Sequence, residues 1–219
     1  MSKVIIFGVK DFAELAHYYL VNDSPHEVVA FAVNRSYLPE SGTYLGLPVV
    51  AFEDIQNIYP TADYMLFAPM SPRHMNRDRE DIYRLIKGKG YDCISYVSSK
   101  ANVFGNKIGE NCFILEGNTI QPFTNIGNNV VLWSGNHIGH HSIIHDHVTF
   151  TSHVVMSGHC DIGSYSFFGV NSTLRDGLRI AEGTFVAMAA AIFQDTEAWG
   201  AYKGNPAIKL NIPSSKIRL

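Results

Sequence analysis

Histidines are concentrated in one short stretch of the chain, where seven of the ten lie between positions 137 and 159. Imidazole changes its charge near neutral pH and also ligates transition metals, so these histidines could supply a general base or a metal site. The same side chains could instead lie on a solvated surface without any chemical role. The seven are His137, His140, His141, His145, His147, His153 and His159.

A six-residue repeat runs through this stretch. Every sixth residue from Ile108 to Ile192 is apolar, fifteen in succession, and the residue two positions before each of these anchors is mostly small or β-branched. A unit of six residues is too short to fold alone, so the units must stack on one another. These features resemble the left-handed parallel β-helix of the hexapeptide acyltransferases, in which three units make one triangular coil. The resemblance implies such a β-helix over 99–195.

A metal site and a general base place different demands on this repeat. A catalytic zinc ion needs about three protein ligands around one open position. His140 and His145 are spaced as two ligands could be, but no histidine lies between positions 75 and 136 to supply a third from two coils earlier. We therefore expect no metal. A general base needs only one imidazole, which suits proton transfer from a nucleophile at neutral pH.

The first part of the chain, residues 1–98, has a different pattern. Short apolar runs at 4–7, 28–33, 64–67 and 93–97 alternate with helix-like stretches near 11–22, 53–58 and 73–88, which predicts a small α/β domain with parallel strands. Gly8 follows the first strand, but the full GxGxxG pattern is absent. The turn alone is therefore as consistent with a simple tight turn as with nucleotide binding. Residues 196–219 form a C-terminal extension.

The composition narrows the class of protein. The chain has 219 residues, 46% of them apolar and 17% charged, with a formal net charge of −3. This balance does not favour a nucleic-acid or anionic-lipid partner. The longest apolar runs are too short for a membrane span, no secretory signal opens the sequence, and the three cysteines form no CxxC motif. We expect a reduced, cytoplasmic setting.

The whole pattern resembles one group of enzymes. The α/β domain, the β-helix and the ending Gly204-Asn205-Pro206-Ala207 together are similar to the sialic-acid O-acetyltransferase-like group of bacterial sugar acyltransferases. That group includes N-acetyltransferases of nucleotide-linked amino sugars, such as those acting on bacillosamine precursors and viosamine. The similarity covers about residues 3–210. It implies a Rossmann-like N-terminal domain, acetyl-CoA as the co-substrate and a homotrimer.

The resemblance also implies a catalytic histidine. In this group the base lies on the central coils and is usually followed by an acidic residue, and the matching stretch is 136–141. His140 is therefore the candidate base, while His141 stands where a carboxylate is common and could still accept a proton from its neighbour when it is neutral. Gly158 should lie directly above His140, with its backbone N–H against the acetyl carbonyl, because glycine permits a close approach.

Further positions follow from the same resemblance. Val170 and Met188 match the backbone positions along which the group lays the pantetheine arm of coenzyme A. The sugar nucleotide would contact the turn after the first strand and the end of the second, at Lys10, Asp11, Phe12 and Asn34. Bacillosamine enzymes carry histidine where this chain has Phe12, and acidic residues are common at 34–35. These departures argue against a uridine nucleotide and favour a dTDP-linked sugar.

One pair of buried amides is expected to be structural. Asn118 and Asn136 lie eighteen residues apart in a column of small residues. A stacked amide ladder inside the coil is the favoured interpretation, ahead of a catalytic role.

The predicted function is acetyl-CoA-dependent N-acetylation of a nucleotide-linked 4-amino-4,6-dideoxy sugar for a surface glycan such as the O-antigen of lipopolysaccharide. A separate domain is more than a monosaccharide hydroxyl requires, and an amine needs to lose only one proton, for which His140 suffices without a following carboxylate. Three alternatives remain. They are sugar O-acetylation, a non-catalytic trimeric β-helix, and a metal-dependent hydratase like the β-helical carbonic anhydrases, in which neighbouring subunits share a zinc ion.

Overall fold

An α/β domain and a β-helix follow one another along the chain. The structure is a computed structural model, and it describes residues 1–204. The elements of the first domain are β1 (Lys3–Phe7), α1 (Asp11–Asn22), β2 (Glu27–Val33), β3 (Thr43–Tyr44), β4 (Leu47–Ala51), α2 (Ile55–Ile58), β5 (Tyr64–Phe67) and α3 (Arg77–Gly88), with single 3₁₀ turns at Arg35–Tyr37 and Phe52–Asp54.

The sheet of the α/β domain has the order β3-β4-β2-β1-β5, and all its pairs except β3 with β4 are parallel. Its strands are apolar on both faces because each face is covered. Val4 and Ile6 of β1 pack with helix α1 and with outward residues of the β-helix. Ile5, between them in sequence, points to the opposite face, where α2 and α3 pack. The apolar run of β1 therefore identifies a central strand.

The β-helix consists of two-residue strands that pair in parallel with strands eighteen residues away. They form three sheets, which we call faces 1, 2 and 3, and the chain passes from face 1 to 2 to 3 in every coil. Face 1 contains β7 (Asn102–Val103), β10 (Thr119–Ile120), β13 (His137–Ile138), β16 (Val155–Met156), β19 (Thr173–Leu174) and β22 (Ala191–Ile192). Face 2 contains β8 (Lys107–Ile108), β11 (Asn125–Ile126), β14 (Ile143–Ile144), β17 (Asp161–Ile162) and β20 (Arg179–Ile180). Face 3 contains β6 (Tyr96–Val97), β9 (Phe113–Ile114), β12 (Val131–Leu132), β15 (Thr149–Phe150), β18 (Phe167–Phe168), β21 (Phe185–Val186) and β23 (Ala201–Tyr202).

The apolar anchors fill the interior of this triangular coil, as the repeat predicts. Ile108, in the first complete coil, is half-buried, and the other anchors, from Ile114 to Ile192, are buried. The stacked short parallel strands fit a left-handed β-helix, which confirms the fold expected for this part of the chain.

A second six-residue period governs the corners. Every sixth residue from Gly105 to Ala189 has a positive φ, fifteen positions in all, so each turn passes through the left-handed region. Glycine, asparagine and histidine tolerate that conformation better than most residues, and they occupy most of the fifteen positions. His141, His147, His153 and His159 are four successive members of this series. Much of the histidine concentration therefore reflects the backbone of the turns.

The α/β domain is docked on face 3 through buried polar contacts as well as apolar ones. Arg79 of α3 is fully buried and donates hydrogen bonds to the backbone oxygens of Asn129 and Val148 and to the Thr149 hydroxyl. Burial lowers the pKa of this guanidinium to about 9, which leaves it charged at neutral pH. The acceptors around Arg79 thus fix the domain against the coil.

A second polar contact lies where the two parts of the chain join. The Asp23 carboxylate accepts hydrogen bonds from the Tyr96 hydroxyl at 2.6 Å, the Ser98 hydroxyl at 3.0 Å and the Ser99 amide at 2.9 Å. These bonds hold its pKa well below the usual range of a carboxyl group.

The prediction of one strand at 93–97 in the first domain is wrong. Cys93 makes a single parallel bridge to Leu66, whereas Tyr96–Val97 pairs with Phe113–Ile114 and opens face 3 of the β-helix. The apolar run at 93–97 belongs partly to the α/β domain and partly to the β-helix, because Tyr96 is buried where the two parts pack together. At the other end, Ala201–Tyr202 closes face 3 beyond position 195. The third helix begins at Arg77, later than expected.

None of the helices among residues 1–204 is both long enough and apolar enough to cross a membrane.

Candidate active site

His140 and His141 lie at the corner between faces 1 and 2, where the chain leaves β13 and enters β14. His141 holds the left-handed position of this turn, with a φ of 54°. The turn directs the two successive imidazoles so that their Nδ1 atoms lie 3.0 Å apart. The repeat thus brings the candidate base and its neighbour together at an exposed edge.

The contact between the two rings fixes what each imidazole can do. A hydrogen bond between two Nδ1 atoms needs one protonated and one bare nitrogen. When His140 carries the Nδ1 proton, it donates to His141, and its Nε2 keeps a lone pair. Nε2 of His140 has no hydrogen-bond partner within residues 1–204. His141 can therefore orient His140 as a carboxylate would, while itself uncharged.

The backbone of this turn is also held in place. The amide of His140 donates to Oε1 of Gln121 at 3.0 Å, and its carbonyl accepts from the amide of His159 at 2.9 Å. Both bonds run to neighbouring coils. The position of the His140 ring is therefore set by the stack above and below it.

Gly158 lies directly over the His140 ring, as the eighteen-residue spacing predicts. A Cβ atom added at Gly158 would lie 2.8 Å from Cε1, 3.0 Å from Nε2 and 3.1 Å from Nδ1 of His140. Only glycine fits above the imidazole without displacing it. The backbone N–H of Gly158 donates no hydrogen bond within the described chain, so it is free to meet an oxygen atom at this edge.

A third imidazole belongs to the same edge, and sequence reasoning missed it. His159 lies one coil above His141, with the two rings stacked at 5.1 Å, and its ring meets that of His140 edge-on at 5.0 Å. The eighteen-residue spacing from His141 is a signal that could have found it. No histidine lies on the two coils before that of His140, and the third imidazole comes from the coil that follows.

The remaining histidines of the stretch are distributed over other faces and corners. His145 pairs with Asp161 at 2.9 Å on face 2, beside a cavity of about 650 Å³, and does not join His140. His147 is buried at the corner between faces 2 and 3, near Glu80 of α3, where desolvation lowers its pKa. His153 lies exposed at the corner between faces 3 and 1. The spacing of His140 and His145 therefore does not make a ligand pair.

The amide ladder expected of the two buried asparagines is not formed, because their side chains bond to backbone groups and not to each other. Oδ1 of Asn118 has no hydrogen-bond partner within residues 1–204. The side-chain amide of Asn118 donates to the carbonyls of Leu115 and Trp133, and Oδ1 of Asn136 accepts from the amide of Val154. Both are buried inside the coil.

A cavity of about 730 Å³ opens at the carboxyl end of the parallel sheet in the α/β domain. All four predicted substrate residues line it, because the Gly8 turn after β1 carries Lys10, Asp11 and Phe12, and Asn34 ends β2. Crevices at this end of parallel strands are the usual ligand sites of α/β sheets. The ring of Phe12 packs edge-on against Trp133 of the β-helix, which places this wall of the cavity next to the coil.

Other residues of this cavity were missed by sequence reasoning. Tyr37 follows β2, and the segment from Pro69 to Arg73 follows β5. The second of these could have been found, since the end of β5 must lie beside the end of β1 in a parallel sheet. Arg73 adds a second cation to that of Lys10.

Val170 and Met188 lie one above the other at the corner between faces 3 and 1, away from His140 in the same chain. Both side chains are exposed, and the backbone N–H groups of both residues donate no hydrogen bond within residues 1–204. Both donors are therefore free to bond an oxygen atom of a ligand. In a single chain they do not meet the candidate base.

Comparisons with known proteins give matches over part of the chain in sequence and over nearly all of it in fold. No protein-family model matches the chain. Among curated proteins, acyl-[acyl-carrier-protein]–UDP-N-acetylglucosamine O-acyltransferases are similar, with 31% identity over 107 residues for that of Campylobacter concisus and 26% over 108 residues for that of Sinorhizobium fredii. These matches cover 46% of this chain and 40–41% of the relatives, so the chain spans about two fifths of their length.

Solved structures match nearly the whole chain. The acetyltransferase domain of PglB from Neisseria gonorrhoeae has a TM-score of 0.81 at 18% identity, covering 96% of this chain and 100% of that one. A variant of perosamine N-acetyltransferase from Caulobacter crescentus, in complex with CoA and GDP-perosamine, has a TM-score of 0.78 at 18% identity, covering 92% and 93%. WeeI from Acinetobacter baumannii has a TM-score of 0.77 at 20% identity, covering 96% and 100%. The predicted resemblance is confirmed as a likeness of fold across both parts of the chain. Of the ending Gly204-Asn205-Pro206-Ala207, the last three residues lie outside the described chain.

Proposed function

We propose that the protein is an acetyl-CoA-dependent N-acetyltransferase of a nucleotide-linked amino sugar. The observation that carries this proposal is the arrangement at the corner of faces 1 and 2. There the His140 imidazole, whose Nε2 has no partner among the described residues, lies beneath Gly158, whose backbone N–H is likewise free. The Nδ1 atom of His140 is hydrogen-bonded to the imidazole of His141. These are a general base, an oxyanion donor and an orienting group, which acyl transfer from a thioester requires.

His140 acts as the base in this proposal. Its Nε2 takes a proton from the sugar amine as the amine nitrogen attacks the acetyl carbonyl carbon, and the Gly158 N–H donates to the oxygen that becomes negative. The C–S bond then breaks, and the departing thiolate receives the proton. Throughout, Nδ1–H of His140 donates to Nδ1 of His141, so the imidazolium is oriented without a buried anion. An amine needs this help less than a hydroxyl does, which favours N-acetylation.

Coenzyme A and the base come together only if two copies of the chain meet. Val170 and Met188 would hold the pantetheine arm through their backbone N–H groups, and they lie at a different corner from His140. Three-sided coils that associate around a threefold axis can bring the corner of one copy against another corner of the next. We therefore propose a homotrimer with its active sites between subunits. Analytical ultracentrifugation showing an active monomer would contradict it.

The cavity of the α/β domain would hold the sugar nucleotide. The domain is Rossmann-like in this proposal, with the nucleotide at the carboxyl ends of its parallel strands. Lys10 supplies a charge for the diphosphate, Asp11 and Phe12 shape the turn, and Asn34 meets the nucleoside. The Caulobacter relative binds GDP-perosamine, a nucleotide-linked sugar. For this chain we retain a dTDP-linked 4-amino-4,6-dideoxy sugar, on the departures at Phe12 and Asn34.

A panel of nucleotide sugars tests the proposal. Purified protein is incubated with acetyl-CoA and with dTDP-, UDP- and GDP-linked amino sugars, each beside its hydroxyl analogue, and products are identified by mass spectrometry. We expect acetylation of an amino sugar nucleotide, with His140→Ala lowering kcat by on the order of 10²-fold or more while coenzyme A still binds. His145→Asn is the matched control, because it removes an exposed histidine of face 2 that lies at neither of the two corners proposed to meet.

O-acylation is the second candidate, and one observation favours it. The curated relatives transfer acyl groups to an oxygen, by their names, and their identity to this chain is higher than that of the solved structures. If a hydroxyl analogue is acetylated with a kcat/KM equal to or above that of every amino sugar tested, the reaction is O-acetylation.

A further inference from the structure

Three imidazoles converge at the corner between faces 1 and 2. One ring nitrogen from each of His140, His141 and His159 lies within 4.8 Å of the other two, and all three side chains are exposed. The acyl-transfer chemistry proposed above uses the first two and leaves His159 without a role. Its position is set by the stack, since its ring lies on that of His141 at 5.1 Å.

The donor set suits a particular class of ion. Neutral imidazole nitrogen is a preferred ligand of zinc, copper and nickel, whereas calcium and magnesium require oxygen. Zinc bound at about 2.0–2.1 Å from three nitrogens in a tetrahedral site keeps those nitrogens roughly 3.3 Å apart. The Nδ1 atoms of His140 and His141 are already 3.0 Å apart. Small rotations of the exposed rings would bring all three nitrogens to the spacing of a tetrahedral site, and the fourth position would be left for a water molecule or another ligand.

We propose that this corner binds one divalent ion of the zinc class per chain, through His140, His141 and His159, and that the bound ion switches the acetyltransferase off. A metal bound to His140 occupies a ring nitrogen and breaks the hydrogen bond that orients the ring. The base can then neither accept a proton nor keep its position. The ion is thus an inhibitor, not a cofactor, and the expected absence of metal dependence is unaffected. The inhibitory half of this inference rests on the proposed function, and the binding half does not.

Binding is measured first, on metal-free protein without any substrate. Titration with zinc chloride in a calorimeter should give one ion per chain, and cobalt(II) as a probe should give the visible absorption bands of a four-coordinate site. His159→Asn should weaken zinc binding at least tenfold, since one of three ligands is lost, and asparagine keeps the left-handed turn at a φ of 58°. His74→Asn, at a left-handed φ of 49° in the α/β domain and at neither of the two corners proposed to meet, is the matched control and should bind zinc as the unchanged protein does.

His140→Ala is a second ligand variant that does not alter a left-handed position. It should also weaken zinc binding at least tenfold, and circular dichroism checks that each variant is folded. The inference is wrong if the unchanged protein shows no saturable zinc binding, if the ratio is one ion per three chains, or if neither ligand variant changes the affinity.

Inhibition is measured separately, with the amino sugar nucleotide found active. Zinc should inhibit acetyl transfer in proportion to site occupancy, a chelator should restore the rate, and His159→Asn should shift the inhibition curve at least tenfold to higher zinc. Zinc binding with no acetylation of any sugar would overturn the proposed function and support the metal site. Acetylation unaffected by zinc at full occupancy would overturn the switch alone.

Discussion

Replacing Gly158 by alanine should damage catalysis and leave the fold intact. The added Cβ would lie 2.8–3.1 Å from three atoms of the His140 ring, where ordinary contact begins at 3.4 Å. The backbone of Gly158 does not have a positive φ, so alanine is not strained there. The His140 ring must therefore move by about 0.6 Å to bring its Cε1 atom to 3.4 Å from the new Cβ atom, and by about 1 Å to reach the middle of the ordinary contact range.

The expected loss follows from that displacement. A shift of about 1 Å in a catalytic group can lower the rate on the order of 10²-fold. We expect kcat/KM to fall by roughly 10- to 100-fold, or about 1.4–2.7 kcal/mol in activation free energy. The free energy of unfolding should change by less than about 1 kcal/mol, because the atoms that yield belong to an exposed side chain.

Steady-state kinetics and denaturant unfolding measure the two effects. Gly88→Ala is the matched control, because a Cβ at Gly88 meets nothing within 4 Å. A double-mutant cycle isolates the cause: in a His140→Ala background there is no ring to displace, so Gly158→Ala should change the residual rate less than about twofold. If Gly158→Ala lowers the rate by the same factor in the His140→Ala background as in the unchanged protein, the added methyl group acts on the substrate directly. The explanation through the His140 ring is then refuted.

Three further outcomes are expected. His141→Gly, which keeps the left-handed turn but removes the ring that accepts from His140, should lower kcat/KM by about 10-fold, less than His140→Ala, and equal losses in the two variants would assign His141 a larger role. Asp23→Asn should lower the free energy of unfolding by about 1–3 kcal/mol in urea, since the acceptor of three hydrogen bonds loses its charge, and an unchanged urea midpoint would show that this charge contributes nothing. Burial lowers the pKa of His147, so the unfolded chain takes up a proton first as pH falls below about 6.5. Stability should therefore decrease from pH 7 to pH 5, and His147→Asn should reduce this dependence when the two proteins are compared by urea unfolding at both values.

Parts of the candidate site followed from spacing alone. Residues eighteen apart in a six-residue period with three units to a coil are vertical neighbours, so the spacing by itself predicts Gly158 over His140. The residues after β1 and β2 were likewise expected at one edge of the sheet. A local period carries this information because each coil repeats the conformation of the one below.

The packing of the α/β domain on the β-helix depends on contacts between residues far apart in sequence, which the six-residue period does not predict. The helix α3 reaches the β-helix through Arg79, whose partners Asn129 and Thr149 lie 50 and 70 residues away in sequence. The strand predicted at 93–97 divides between two sheets because Tyr96 is buried where they meet. Such packing depends on how the surface of the α/β domain fits face 3 of the β-helix.

The histidines show both sides of this division. The sequence by itself determined that the chain forms stacked coils with a histidine pair at one corner, because apolar anchors every six residues can be buried only by stacking. The eighteen-residue spacing places His159 one coil above His141. The tertiary structure alone decided that the His159 ring turns to the pair, that His145 pairs with Asp161 and that His147 is buried under α3. A repeat fixes where each Cα lies on its coil, whereas the direction of each ring depends on the neighbours that the folded chain brings against it.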